Sequence, residues 1–143
     1  NRVVRDEWRI VIFSADPRIC LNTCWISKYF RDIVNDSCKT LPEIDEFKRL
    51  FELNTSRKAE LYPFLLPCNL KDKFFFSGWR NPEAYLDESF RAGISSFAAA
   101  PTELVNENIK KLQDDLTSGR FQKLYGDLFE LTEYDCGYFF LVG

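Results

Sequence analysis

The run Trp8 to Ser14, WRIVIFS, limits the possible folds of this chain more than any other stretch. Its seven residues are almost unbroken in apolar character and rich in β-branched side chains, which suits a strand better than a helix. Apolar residues at both odd and even positions give it two buried faces. It therefore predicts a central, parallel strand covered on each side. Ala15-Asp16-Pro17 follows, and Pro17 has no amide to continue a ladder. Asp16 would lie at the carboxyl end of that strand, where open α/β sheets bind ligands. A plain capping or turning role for Asp16 reads the same residues equally well. The last run, Gly137 to Val142, GYFFLV, is a strand by the same argument.

Between these runs the apolar spacing becomes helical. From Cys24 to Val34, Trp25, Tyr29 and Ile33 recur every fourth residue and Phe30 widens the stripe, predicting one amphipathic helix. The stripe reads as core or as the wall of a pocket. Asn35-Asp36-Ser37 is a turn signal. Thr40-Leu41-Pro42-Glu43 has capping-box spacing and predicts a second helix, with Ile44, Phe47, Leu50 and Phe51 on its buried face and Asn54 as a left-handed stop. Lys58 to Leu66, KAELYPFLL, is extended, and Pro63 makes it an edge strand or one with a bulge. Phe74-Phe75-Phe76 cannot all face one way, so some of these rings line a second surface. Thr102 to Ser118 is helical, with Val105, Ile109, Leu112 and Leu116 in register and Gly119 closing it. Phe121 to Leu128 predicts a shorter helix. This alternation indicates an α/β layered sheet. Three strands are few for such a sheet, so it looks incomplete.

The stretch Ser77 to Ala98 is too polar to be ordinary core. Trp79 and Arg80 stand side by side, Asn81-Pro82-Glu83 is a helix start, and Tyr85, Arg91 and Ser95-Ser96-Phe97 follow. Arg80 and Arg91 are eleven residues apart, about three helical turns, and could share a face. Two guanidinium groups beside aromatic rings can grip a planar or anionic small molecule. A surface helix with Trp79 and Tyr85 tucked into the core is the other reading.

With 143 residues the chain has room for one domain, and a net charge of −3 with both signs interspersed argues against nucleic-acid or anionic-membrane binding. No apolar run is long enough to span a membrane. Cys20, Cys24, Cys38, Cys68 and Cys136 form an odd set without secreted-type spacing, which reads as free thiols in a reducing, cytoplasmic compartment. Zero histidines remove the commonest zinc ligand and general base. Cys20-x3-Cys24 is a weak metal signal without a second pair, and no metal is expected. Asn1 is not Met, and Arg2-Val3-Val4-Arg5 reads as the end of a helix, as if the pattern began upstream.

Several of these segments, in order, resemble a known pattern. Trp8 to Ile12, Asp16-Pro17 and the Trp25, Tyr29, Phe30 helix come first. Trp79-Arg80-Asn81-Pro82-Glu83-Ala84-Tyr85-Leu86-Asp87, Arg91-Ala92-Gly93-Ile94-Ser95-Ser96-Phe97-Ala98, Leu116 to Gly119 and Asp135-Cys136-Gly137-Tyr138 follow. Together they resemble the C-terminal half of a class I S-adenosylmethionine-dependent methyltransferase, of a bacterial small-molecule type with a helical insertion between its last two strands. The resemblance implies a partial Rossmann-like sheet: strands five, six and seven of seven, with the last antiparallel between the other two. Residues 1–143 would be the C-terminal part of one domain and 67–131 a helical substrate cap.

It also implies a small-molecule substrate held by Asp16, Trp25, Tyr29, Trp79, Arg80, Tyr85, Arg91 and Ser95, and S-adenosylmethionine bound mainly by a half this chain lacks. No GxGxG turn is present, and Pro67-Cys68-Asn69-Leu70 stands without His where the family often carries one. No general base is assigned. A non-catalytic α/β interaction module, or a degenerate methyltransferase fragment, is the alternative. The unpaired apolar edge of the first strand predicts self-association.

Overall fold

The computed structural model describes residues 9–143. The expectations for Arg2-Val3-Val4-Arg5 and for Trp8 lie outside the described residues. Three strands, β1 (Val11–Ala15), β2 (Glu60–Pro67) and β3 (Glu133–Val142), form one sheet in the order β1-β3-β2. Both pairings are antiparallel, so among the described residues β1 has no parallel partner of the kind its composition predicted. Its partner is β3, apolar on both faces, with Val11 opposite Val142 and Ala15 opposite Tyr138. Among the described residues β1 is an edge strand.

Only one face of this sheet is fully covered. Helix α3 (Ile44–Thr55) lays Ile44, Phe47 and Phe51 on Ile12, Phe139 and Leu141. The opposite face is aromatic: Phe13 lies 4.9 Å from Phe140 and 5.5 Å from Phe64, ring centre to ring centre. Phe74 covers its Tyr138 end at 5.0 Å, while Val11, Phe13 and Tyr62 stay 59%, 45% and 49% exposed. The apolar run at β1 thus predicted a strand correctly, but among the described residues one of its faces is half open.

Strand β2 is an edge strand with an irregularity, as Pro63 requires. The irregularity falls after Pro63, where Leu65 alone stands opposite Asp135, Cys136 and Gly137 of β3. This is a bulge on β3. Gly137 has φ of +78° there, its amide donates to Asp135 Oδ1 at 2.9 Å, and its carbonyl accepts from the Asp16 amide at 2.9 Å.

The first amphipathic stripe is two helices rather than one: α1 (Trp25–Tyr29) and α2 (Arg31–Thr40). They break at Phe30, whose ring is wedged between Tyr85 and Phe97 at 5.7 and 5.1 Å. Asn35-Asp36-Ser37 lies inside α2, because Ser37 Oγ bonds back to the Ile33 carbonyl at 3.1 Å and competes for no turn. Neither Thr40 nor Glu43 caps α3. Thr40 is spent on the Ser37 carbonyl, and the Ile44 amide is met by Asp16 Oδ2 at 3.3 Å. The left-handed stop is Ser56 (φ +58°), while Asn54 stays helical and donates to the Leu50 carbonyl.

Everything between β2 and β3 is helix or turn. A 3-10 turn (Pro82–Leu86), α4 (Glu88–Ala92) and α5 (Ser95–Ala99) replace the single helix expected from Asn81. Asp87 starts α4 afresh by accepting from the Ser89 amide at 2.8 Å. Then come α6 (Thr102–Thr117), ended by Gly119 at φ +73°, α7 (Arg120–Tyr125) and a 3-10 turn (Gly126–Glu130). Among the described residues no helix is long and apolar enough to cross a membrane.

Candidate functional site

Asp16 sits where β1 ends, and its carboxylate is fully engaged by its own fold. It accepts from the Arg18 amide at 3.1 Å, the Arg18 guanidinium at 2.9 Å and the Ile44 amide at 3.3 Å. Arg18 continues inward to the carbonyls of Cys38 and Leu41. The capping reading of Asp16 describes these contacts.

The Trp79-to-Arg91 element shows a consistent logic. This region has few long helices, so many of its carbonyls need donors from side chains. Trp79 Nε1 donates to the Leu66 carbonyl of β2 at 3.1 Å, and Trp25 Nε1 donates to the Trp79 carbonyl at 2.6 Å. Arg80 reaches the Phe129 carbonyl and Cys68 Sγ. Tyr85 donates to the Phe75 carbonyl at 2.7 Å, and Arg91 to the Tyr85 carbonyl at 2.7 Å. Trp25, Trp79 and Tyr85 are buried, with Trp25 against Tyr85 and Phe121 at 5.3 and 5.0 Å. Arg80 and Arg91 therefore hold separate carbonyls instead of sharing a helix face. Tyr29 donates to Asp115 Oδ2 at 2.7 Å.

A cavity of about 340 Å³ opens on the half-covered face of the sheet. Ser14 and Ala15 at the carboxyl end of β1, together with Tyr138, form one side. Phe74, Phe75 and Phe76 form another, and Gly93 to Ser96 at the start of α5 close it. The three consecutive phenylalanines do line a second surface, and it is this cavity. Its polar residues are Ser14, Ser37, Ser95, Ser96 and Tyr138, with Ser96 Oγ 3.1 Å from Ser37 Oγ. Of the eight side chains singled out from the sequence, Ser95 alone is on the lining. The other seven lie outside it.

Among the described residues no ready general base faces the cavity. Burial pushes the Tyr138 phenol up, so it remains protonated at neutral pH. Burial likewise raises Tyr85, and burial with the Asp115 hydrogen bond raises Tyr29.

A second cluster lies apart from the cavity lining. Cys20, Cys24 and Cys136 bring their sulfur atoms within 4.8 Å of one another, all fully buried. Sequence spacing showed only the Cys20–Cys24 pair. The third thiol arrives from β3 through its bulge, a long-range placement that local spacing does not register.

A crystal structure from Anabaena variabilis superposes with a TM-score of 0.91 at 40% sequence identity, covering 99% of this chain. It is described as a "putative methyltransferase from antibiotic biosynthesis pathway". The resemblance is to a methyltransferase. This chain spans 56% of that protein's length. No protein-family model and no curated protein matches the chain. The superposition takes in the sheet and the helices between β2 and β3 that surround the cavity. The cavity walls at Phe13, Phe74 and Tyr138 had one legible signal, the triple phenylalanine.

Proposed function

We propose that this chain is the C-terminal, substrate-side portion of an S-adenosylmethionine-dependent methyltransferase acting on a small molecule in the cytoplasm. Its three strands would be the fifth, sixth and seventh of a seven-stranded sheet, and 67–131 the substrate cap. The observation that carries this reading is the cavity: it lies at the carboxyl end of β1, beneath the start of α5, in a chain 40% identical to a methyltransferase over 99% of its length.

The lining combines five aromatic residues with four serines, which suits a planar, weakly polar substrate. Methyl transfer from a sulfonium is an in-line displacement whose leaving group is already activated, so a protein contributes alignment and exclusion of water. Phe74, Phe75 and Tyr138 would exclude water, and Ser95 and Ser96 would orient a polar atom. Trp25, Tyr29, Trp79, Arg80, Tyr85 and Arg91 would act on substrate through the cap they hold in place, and Asp16 through the turn that ends β1.

The residues here do not suit the cofactor itself. Among the described residues no carboxylate lines the cavity to bind ribose hydroxyls, and the chain has no glycine-rich turn after a strand. The cofactor would sit mainly on residues outside this chain.

A thermal-shift titration of the full-length protein with S-adenosylmethionine and its demethylated product tests the reading. Stabilisation by both is expected, and none by either refutes it. The 143 residues alone should show no micromolar binding by calorimetry.

The exposed edge of β1 favours a companion proposal about assembly. Val11 and Phe13 lie 59% and 45% exposed on a strand with one free side among the described residues. In the isolated chain, β1 of a second copy would pair there. The partners of the full protein would be a small molecule, with neither nucleic acid nor membrane.

A further inference from the structure

Cys20 ends a 3-10 turn, Cys24 immediately precedes α1, and Cys136 stands in the bulge of β3. Three separate segments therefore converge on one point. The convergence depends on particular backbone features. Gly137 takes a left-handed φ so that three residues fit opposite one, and Asp135 holds the bend with its Oδ1 on the Gly137 amide. The Asp135 carbonyl also lies 3.7 Å from Cys20 Sγ, accepting a weak hydrogen bond.

We propose that Cys20, Cys24 and Cys136 form a binding site for a soft, thiophilic ion that is satisfied by three sulfur ligands. This is independent of the methyltransferase reading. Sulfurs no more than 4.8 Å apart place an ion at their centre at most about 2.8 Å from each, and a small inward rotation of the side chains reaches a zinc-like ~2.3 Å bond to sulfur.

The donor set narrows the ion. It contains sulfur only, with no histidine in the chain and no carboxylate in the cluster. Soft thiolates select soft ions over hard ones such as magnesium or calcium. Structural zinc takes four protein ligands, and catalytic zinc keeps a fourth place for water. Among the described residues the cluster offers three ligands at full burial, so zinc is left short by one. Iron–sulfur clusters also use four. Copper(I) and trivalent arsenic are content with three.

Charge distinguishes those two. Three thiolates around copper(I) bury a net charge of −2, whereas three around a trivalent ion are neutral, and buried unpaired charge is costly. With arsenite the step is a condensation. As(OH)3 and three thiols give As(SR)3 and three waters, each As–O bond being replaced by As–S and each thiol proton leaving in water. No electron changes hands.

The test uses full-length protein, reduced and freed of metal, incubated separately with arsenite, copper(I) and zinc(II), then passed over a desalting column. One arsenic per chain with three sulfur neighbours by X-ray absorption is the expected result. Copper(I) in the same three-sulfur shell would also support the site and would reassign its ion. Cys24→Ser and Cys136→Ala should each lower retention at least tenfold, while Cys38→Ser and Cys68→Ser leave it unchanged. Zinc held by four ligands in preference to the other two, no retention of any probe, or equal retention in the Cys24→Ser protein would overturn the proposal. Should the variants fail to fold, by circular dichroism, the sulfur count in the unmutated protein still decides.

Discussion

Gly137→Ala examines the joint on which the sheet, the Asp16 turn and the cysteine cluster all depend. A Cβ at this position would lie 2.3 Å from the Asp16 carbonyl oxygen and 3.2 Å from Ile19 Cβ. The first neighbour is backbone and cannot swing away. The positive φ of +78° adds a cost of roughly 1–2 kcal/mol for any residue with a side chain. Relieving the clash means moving Asp16 away from β3, which loosens the hydrogen bond from its amide to the Gly137 carbonyl, worth about 1 kcal/mol net. Backbone displacement from overpacking adds roughly 1–3 kcal/mol. The total is about 3–6 kcal/mol, or a fall in Tm on the order of 10 °C.

Gly119→Ala separates strain from clash. Gly119 has a similar φ of +73° but nothing within 4 Å of the added carbon, so only the conformational cost of roughly 1–2 kcal/mol applies. Paired urea and thermal unfolding of the two variants measures the difference directly. Equal losses in both would refute the close-approach argument and, with it, the account of why three residues of β3 can stand opposite one of β2.

Three further outcomes follow from the same contacts. If the proposed methyltransferase function holds, Ser96→Phe should fill part of the cavity and raise KM for the small-molecule substrate roughly tenfold, a loss of about 1.4 kcal/mol, with S-adenosylmethionine binding unchanged. An unaltered KM would remove the cavity from consideration as the substrate site. Val11→Lys puts a charge on an exposed position of the β1 edge and should shift the isolated chain toward monomer in sedimentation. A wild-type chain that is already monomeric at high concentration would contradict the pairing. Finally, stability should fall as pH rises above about 10, the ordinary tyrosine value. Burial, the leading cause, raises Tyr85, Tyr138 and Tyr29, and pushes Tyr134 up to about 12. These phenols keep their protons in the folded chain at a pH where the unfolded chain has lost them. The stabilisation is therefore complete below about pH 10 and declines toward pH 12. Urea midpoints that stay level from pH 9 to 11.5 would show that these rings are not effectively buried.

How much of this was legible depended on the range of each interaction. Strand identity at Val11–Ala15 and at Gly137–Val142 came from apolar runs, and the edge position of β2 came from Pro63, because both are local properties. The α1–α2 break was not visible, since Phe30 is displaced from helical geometry by Tyr85 and Phe97, more than fifty residues away. The same reason explains the capping of α3: Asp16, from the end of β1, supplies what Thr40 and Glu43 were positioned to give. The eight candidate site residues illustrate a subtler point. Trp79, Arg80, Tyr85 and Arg91 stood out because bulky polar-tipped side chains in a weakly periodic stretch are unusual. The structure shows one physical cause of such a pattern, since an irregular chain leaves carbonyls that only long donors can satisfy. A composition that suggests a ligand grip is therefore also what a helix-poor cap requires to hold itself together. The cavity is shaped by that scaffold but lined by plainer residues, Phe74 to Phe76, Ser95, Ser96 and Tyr138. A substitution in the Trp79–Arg91 set should lower stability and activity together, whereas one on the lining should change KM alone. That split between the two readouts separates scaffold from site.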